Sequence, residues 1–502
     1  MLNMVENMYY EQLKNAIIYD RTKNPERTNA TFERIIEVFE NVLAKKGLKL
    51  AKEIQSNIKN LEMRKPLTKS QADEIVNYLE KIHLSPKDIK NITEQLKYSE
   101  ISTNEAIDIH KKYKIPVSHL EKDIIPVMGK GCWIQDTKGR WYIDMDSNYS
   151  ATNIGMSNPE IGRGLYNQAN LLISMKEDRV QIARTRFLRE IYEMMPKGLE
   201  YFYWQNSGGE AVDKALKIAK AYTKSKKVIA FKKGFHGRTH GAVSVTFKEK
   251  YRKPFGLDDE EWVYFADFND INSVRKLVEE TGAKIIIMEM VQGEEAGNLP
   301  ADPDFIRELW KLREEKNIVI IDDEVQAGFG RTAVKEGDWF ACMSYDVVPD
   351  IITIGKSFGG SYPVTAVVTN EKISDAMQPG YDGSTFGGNP MAMTSALIAT
   401  RQMREQNITK NVIDRSKQFF KGLENLKRKY SCIYDIRGRG LMIAFSLGSM
   451  KNVEKLQKEL TKQGVKTSLS TGEYMRFLPP TIINEGEVDE VLNRLDKAID
   501  DL

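Results

Sequence analysis

The 502-residue chain is predicted to be an α/β protein with a mostly parallel central sheet, a small α+β domain behind it and an all-helical extension in front. Three observations predict this. From about residue 120, short β-branched runs alternate with helical stretches, which is the βαβ pattern. Those runs are apolar at successive positions, so both faces of the sheet must be covered, and ligands are expected beyond the strands' carboxyl ends. Glycine supplies the third: Gly47 is the only one in the first 128 residues, so the chain changes character there.

Residues 1–115 form the predicted helical extension. Phe32, Ile35, Ile36, Phe39, Val42 and Leu43 fall at helical spacing, with Asn29 or Thr31 as N-cap and Gly47 just past the end. Ser85-Pro86 opens a further helix with Ile89, Ile92 and Leu96 inward. Its charges nearly balance, which argues against a DNA-binding head. The large α/β domain is placed at 116–400, with 116–165 shared with the small domain. Its strands are read at 228–231, 284–290, 318–323, 351–354 and 365–368, and the small domain, with a strand at 441–446, at 401–502.

Seventy-four basic residues against seventy-one acidic ones leave a formal charge of +3, which implies neither a nucleic-acid nor a membrane partner. Cys132, Cys342 and Cys432 are odd in number and far apart, so neither a disulfide framework nor a CxxC metal site is expected. The first residues lack a basic region followed by an apolar one, and nowhere do eighteen apolar residues run together. A cytoplasmic protein is expected.

Lys356 ends the apolar run Ile351-Ile352-Thr353-Ile354 and precedes the turn Ser357-Phe358-Gly359-Gly360. A desolvated lysine loses its proton more easily and becomes a nucleophile toward an aldehyde, although a lysine after a strand is most often a surface charge. Asp323 closes the apolar strand 318–323, where a carboxylate needs a cationic partner such as a protonated ring nitrogen; a helix cap or an ion pair is the plainer role, and Asp322 is the competing neighbour. Ser207, Gly208 and Gly209 precede a helix reaching about Ala221, either as a phosphate seat or as an ordinary cap. His236 and His240 share a four-residue spacing, but no glutamate follows the first and Gly237 is a poor helix former, so no metal is expected. Phe235 and His236 are instead read as lying beside a planar cofactor. Arg238 and Arg437 are candidates for binding carboxylates bidentately, and Glu294 could neutralise one of them.

Asp323-Glu324-Val325-Gln326-Ala327-Gly328-Phe329-Gly330-Arg331-Thr332, the Gly355-Lys356 segment and Gly383-Ser384-Thr385-Phe386-Gly387-Gly388-Asn389-Pro390 together resemble the class III aminotransferases, a fold-type I family dependent on pyridoxal 5′-phosphate (PLP). The resemblance covers roughly 115–500. It implies that Lys356 forms the Schiff base and shuttles the proton, Asp323 holds the pyridine nitrogen, Gln326 contacts the ring hydroxyl and Phe235 stacks on the ring. It further implies phosphate binding by Gly208 and Gly209, and by Ser384 and Thr385 of a second subunit, hence a homodimer or higher homo-oligomer. Gly209 stands where the family usually has threonine or serine, so its part would be a backbone one.

The segment 146–151, with Tyr149, resembles the substrate loop of the ornithine δ-aminotransferase subfamily, where this tyrosine and the arginine matching Arg238 bind the α-carboxylate end of the donor. Glu294 and Arg437 are matched to that subfamily's switch pair, which alternately masks and releases an arginine. The implied activity is transfer of the ω-amino group of ornithine or a similar diamino acid to 2-oxoglutarate. Lysine, acetylornithine, 4-aminobutyrate and putrescine are alternative donors. An amino acid racemase or epimerase is a second alternative, and a non-catalytic PLP-binding regulator a third.

Overall fold

A computed structural model describes residues 103–468 and 472–500. The predicted helices within residues 1–102 lie outside the described residues; Thr103–Tyr113, the last stretch of that extension, is helical. Among the described residues, one compact unit comprises 103–129 and 134–141, and the other comprises 130–133 and everything from 142 onward.

The second unit is built on a seven-stranded sheet. Its strands are β1 (Tyr201–Gln205), β2 (Val228–Phe231), β3 (Val263–Ala266), β4 (Ile285–Met288), β5 (Val319–Asp323), β6 (Ile351–Ile354) and β7 (Thr365–Thr369). Helix α1 (Gly208–Thr223) links β1 to β2, and α2 (Pro303–Lys316) precedes β5. The spatial order is β1-β7-β6-β5-β4-β2-β3. Neighbours from β6 to β3 run parallel, whereas β7 is antiparallel to both β6 and β1. The sheet is thus mostly parallel, as expected, with two strands, β1 and β3, beyond those read from the sequence. β1 reads Tyr-Phe-Tyr-Trp-Gln and β3 Val-Tyr-Phe-Ala, both aromatic rather than β-branched.

Alternation along each strand divides the core in two. Ile285, Ile287, Val319, Ile321 and Ile351 face α1 and its Val212, Ala215, Leu216 and Ala219. Ile286, Met288, Ile320, Ile352 and Ile354 point to the other face, against a cluster that includes Phe305, Phe329 and Phe358. Each such side chain contributes about 1.5–3 kcal/mol through burial. The same alternation sends Asp322 and Asp323, adjacent at the end of β5, to opposite faces.

The C-terminal part holds a three-stranded antiparallel sheet of β8 (Ile436–Arg439), β9 (Met442–Ser446) and β10 (Tyr474–Phe477), with β9 in the middle. Helices α3 (Ile408–Lys429), α4 (Met450–Lys462) and α5 (Glu485–Asp500) accompany it, and α5 packs on both α3 and α4.

After β6, Phe358 is fully buried between Phe187, stacked at 5.9 Å, and Phe329, stacked at 4.8 Å. It thereby fixes the turn that begins at Lys356. Phe358→Ala is expected to cost about 3–5 kcal/mol in urea unfolding, and a loss below 1 kcal/mol, about the scale of a tolerated swap, would contradict this packing role.

Candidate active site

The carboxyl ends of β5 and β6 open into a cavity of about 740 Å³ lined by Tyr149, Gly208, Gly209, Phe235, His236, Arg238, Glu294, Asp323, Gln326 and Lys356 among others. The predicted residues Ser207 to Gln326 and Lys356 therefore converge on one place. Ser384 and Thr385 do not line this cavity, and Thr385 is exposed.

At the floor, Asp323 is 6% exposed, and every approach to its carboxylate is a donor. His236 Nδ1 lies 2.8 Å from Oδ2; Thr353 Oγ1 donates to Oδ1 at 2.9 Å and the Val325 N–H at 3.2 Å. Burial opposes a charge on His236, but the Asp323 carboxylate outweighs it and raises the imidazole's pKa. A carboxylate held by donors on this side can accept from a protonated ring nitrogen on the other. Beneath it, Asp322 and Glu324 are fully buried with the Cys342 thiol, their ligand atoms all within 4.8 Å of one another. Burial first, then the mutual repulsion of the carboxyls, raises Asp322 well above the usual range and favours its uncharged form.

Helix α1 starts at the cavity. Ser207 is its N-cap: Ser207 Oγ accepts from the Glu210 N–H at 3.4 Å while Glu210 Oε2 accepts from the Ser207 N–H at 2.8 Å, a capping box. Ser207 thus has a capping part, and Gly208 and Gly209 present the first helical amides. A Cβ at Gly208 would come within 3.0 Å of Val325, and one at Gly209 within 2.9 Å of Thr239 Oγ1. That threonine hydroxyl is buried without a hydrogen-bond partner. A helix N-terminus with free amides and an idle hydroxyl is a seat for a phosphate.

Lys356 takes a left-handed backbone conformation, φ 49°, after the extended Gly355. Strain at a non-glycine residue persists where surrounding contacts over-determine it. Burial lowers the pKa of its amine, against the pull of Glu294, Asp323 and Glu289. Gln326 Nε2 reaches the carbonyl of Tyr149 at 3.5 Å. Phe235 lines the cavity edge-on to Tyr251, with ring centroids 6.2 Å apart.

The two predicted arginines part company. Arg238 makes no ion pair among the described residues and lies over the ring of Tyr251 at 3.6 Å, facing the cavity. Arg437 does not pair with Glu294. It donates to the carbonyls of Gly297, at 2.9 Å, and Ala296, and lies 3.6 Å over the Tyr474 ring. Glu294 binds Arg476 instead, Oε2 to Nη2 at 2.9 Å, and Arg476 also donates to the Gly293 carbonyl at 3.1 Å. The reason for the misassignment is geometric: Arg437 and Arg476 both pair with Ala444 of β9, from opposite sides, so they project from the same sheet face with β9 between them. The missed signal was a lone arginine between Met475 and Phe477 on an otherwise apolar strand.

Glu289 and Thr239 were also missed. Glu289 accepts from the backbone N–H groups of Phe235, at 2.9 Å, and Gly293, at 3.3 Å, so it ties the ring-bearing loop to the Glu294 loop. Burial pushes its carboxyl up to about 7.

An anchored carboxylate, a desolvated lysine and a phosphate seat at the carboxyl edge of a mostly parallel sheet fit a phosphorylated pyridine aldehyde, and together define a fold-type I PLP enzyme. The family model "Aminotransferase class-III" matches residues 115–499, and the chain belongs to the class III aminotransferases, which use PLP to pass an amino group from a donor to a 2-oxo acid. Acetylornithine aminotransferase of Archaeoglobus fulgidus is 35% identical over 386 residues, 77% of this chain and 98% of that protein. The LysW-aminoadipate semialdehyde transaminase of Deinococcus radiodurans is 33% identical over 393 residues, 78% of this chain and 89% of that protein. The ornithine aminotransferase structure from Toxoplasma gondii has a TM-score of 0.74 at 26% identity, covering 80% of this chain and 95% of that one.

A carboxyl whose pKa rises on folding lends stability only while protonated. For Glu289 that contribution is whole below 4.5 and is lost as pH climbs toward about 7. Glu289→Gln should therefore gain on the wild type in melting temperature between about pH 5 and about pH 8. A difference that does not change with pH would refute this.

Proposed function

We propose that the enzyme transfers the ω-amino group of ornithine, or of a similar diamino acid, to 2-oxoglutarate. PLP, when bound, supplies the electron sink for breaking the C–H bond next to the transferred nitrogen. Lys356 would hold the cofactor at its aldehyde carbon and would move the proton at Nζ, and Asp323 would accept from the ring nitrogen. Gly208, Gly209 and the Thr239 hydroxyl would take the phosphate, and Phe235 and Gln326, which line the same cavity, would face the ring. Ser384 and Thr385 serve the site of a second subunit, which agrees with their absence from the cavity of their own chain.

The observation that carries the substrate reading is the unlike state of two arginines. Arg238 faces the cavity with no acidic partner among the described residues, ready with Tyr149 for the carboxylate of the donor. Arg476 is buried and masked by Glu294, so the pocket near Lys356 accepts an uncharged chain carrying the ω-amine. When Glu294 swings away, the guanidinium of Arg476 takes one carboxylate of the acceptor. One pocket so serves two unlike substrates. N-acetylornithine is the second reading, favoured by the relatives named acetylornithine aminotransferase.

Rates with ornithine, N-acetylornithine, lysine, 4-aminobutyrate and putrescine, each with 2-oxoglutarate, test the proposal. Ornithine should lead, and a lead by putrescine would sink the carboxylate argument; inversion at carbon without an acceptor would mark a racemase. Arg238→Met should raise KM for the carboxylate-bearing donor by about 10- to 100-fold, the worth of one charged hydrogen-bonded contact, and leave putrescine unchanged. Lys356→Ala should lose roughly 10²–10⁴-fold in turnover while still binding PLP that dialysis now removes. Turnover at the wild-type rate would overturn the role of Lys356.

A further inference from the structure

Tyr149 sits on an unusual piece of backbone. Four successive non-glycine residues, Ser147, Asn148, Tyr149 and Ser150, have positive φ, at 43°, 50°, 54° and 73°. This is a short left-handed turn, a conformation that L-residues adopt singly and avoid in series. It has to be imposed from outside.

The restraint on its leading edge is a buried charge cluster. Asp146 caps the turn, with Oδ1 accepting from the Tyr149 N–H at 3.4 Å. Its other oxygen accepts from Lys466 Nζ at 2.6 Å. Asp144, fully buried, accepts from the same amine at 3.2 Å and from the Asp146 N–H at 3.1 Å. One lysine thus bridges two buried carboxylates and closes a ring through the residue that caps the turn. Lys466 is itself fixed, because Val465 and Lys466 pair in parallel with Ile143 and Asp144.

We propose that Lys466 is a positioning residue for amino-donor recognition, holding the left-handed turn, and with it Tyr149, through the carboxylate of Asp146. It rests on the reading that Tyr149 faces the donor. Lys466 is not among the residues lining the cavity, so its part would be played through Asp146. Without its amine, Asp146 would lose the cation that is hydrogen-bonded to it and keep only the longer-range pull of Arg331 and Arg476, and a buried carboxylate so weakened is relieved by admitting water or by moving the chain. The turn, unfavourable on its own, would relax and carry Tyr149 with it.

The test uses the full-length holoenzyme with Lys466→Met, Lys466→Gln and Lys466→Arg, beside Tyr149→Ala as a reference. Donor KM should rise about tenfold or more in the Met and Gln variants, since a displacement of about 1 Å at a site has effects of that order. Acceptor KM, kcat and retained PLP should stay within about threefold, well under that tenfold step, and Lys466→Arg should restore the donor KM. The glutamine variant stands in if the methionine variant does not fold. Unchanged donor KM in both neutral variants, with Tyr149→Ala impaired, would overturn the role of Lys466 alone. Unchanged donor KM in Tyr149→Ala as well would remove the reading of Tyr149 beneath it. Equal loss of donor affinity, acceptor affinity and PLP would reduce Lys466 to a general structural role and overturn the proposal.

Discussion

A carboxylate at the end of a buried strand is tolerated only where donors surround it, and meeting that need at Asp323 organises the floor of the cavity. The imidazole of His236 comes from the loop after β2, the hydroxyl of Thr353 from β6, and the N–H of Val325 from the turn after β5 itself. Three segments are thereby locked together at the carboxyl edge of the sheet. Lys356 follows two residues beyond β6, and Phe235 precedes His236, so both positions are set by elements that hold Asp323. Thr353 pairs directly with Asp323 in the parallel ladder, so a shift in register would separate them.

The electrostatics follow from depth as much as from neighbours. Asp322 differs from Asp323 by one residue and faces the other side of the sheet, among apolar side chains with Glu324 and Cys342. There burial favours the protonated carboxyl, whereas Asp323 is met by a histidine and two other donors. Glu289 lies between these cases, with its backbone donors outweighed by burial. A site that binds a cationic ring and an amine thus avoids stacking up negative charge beneath it.

Much of the fold was legible because its signals are local. The β-branched runs that became β2, β4, β5, β6 and β7 are fully buried strands, and such strands are apolar throughout. The aromatic edge strands β1 and β3 lacked that mark. Among site residues, Lys356, Asp323, Gly208 and Gly209 stood at strand or helix ends, where type and position together imply chemistry. Arg476 carried only a faint mark, one charge in an apolar strand, while Arg437 looked equally suitable. Their common register partner, Ala444, becomes visible only once β8, β9 and β10 are assembled.

Burial pattern and motif, written along the chain, were enough for the class of fold and the family, and they marked Lys356 and the neighbouring pair Asp322 and Asp323 as candidates. Tertiary structure decided which arginine answers Glu294, that Asp323 rather than Asp322 faces the cavity with His236 on it, and that Lys466 stands behind the strained turn bearing Tyr149. Each of these is a pairing between residues far apart in sequence. The chain states which charges exist, but only the folded sheet states which of them are within 3 Å of one another and shielded from water.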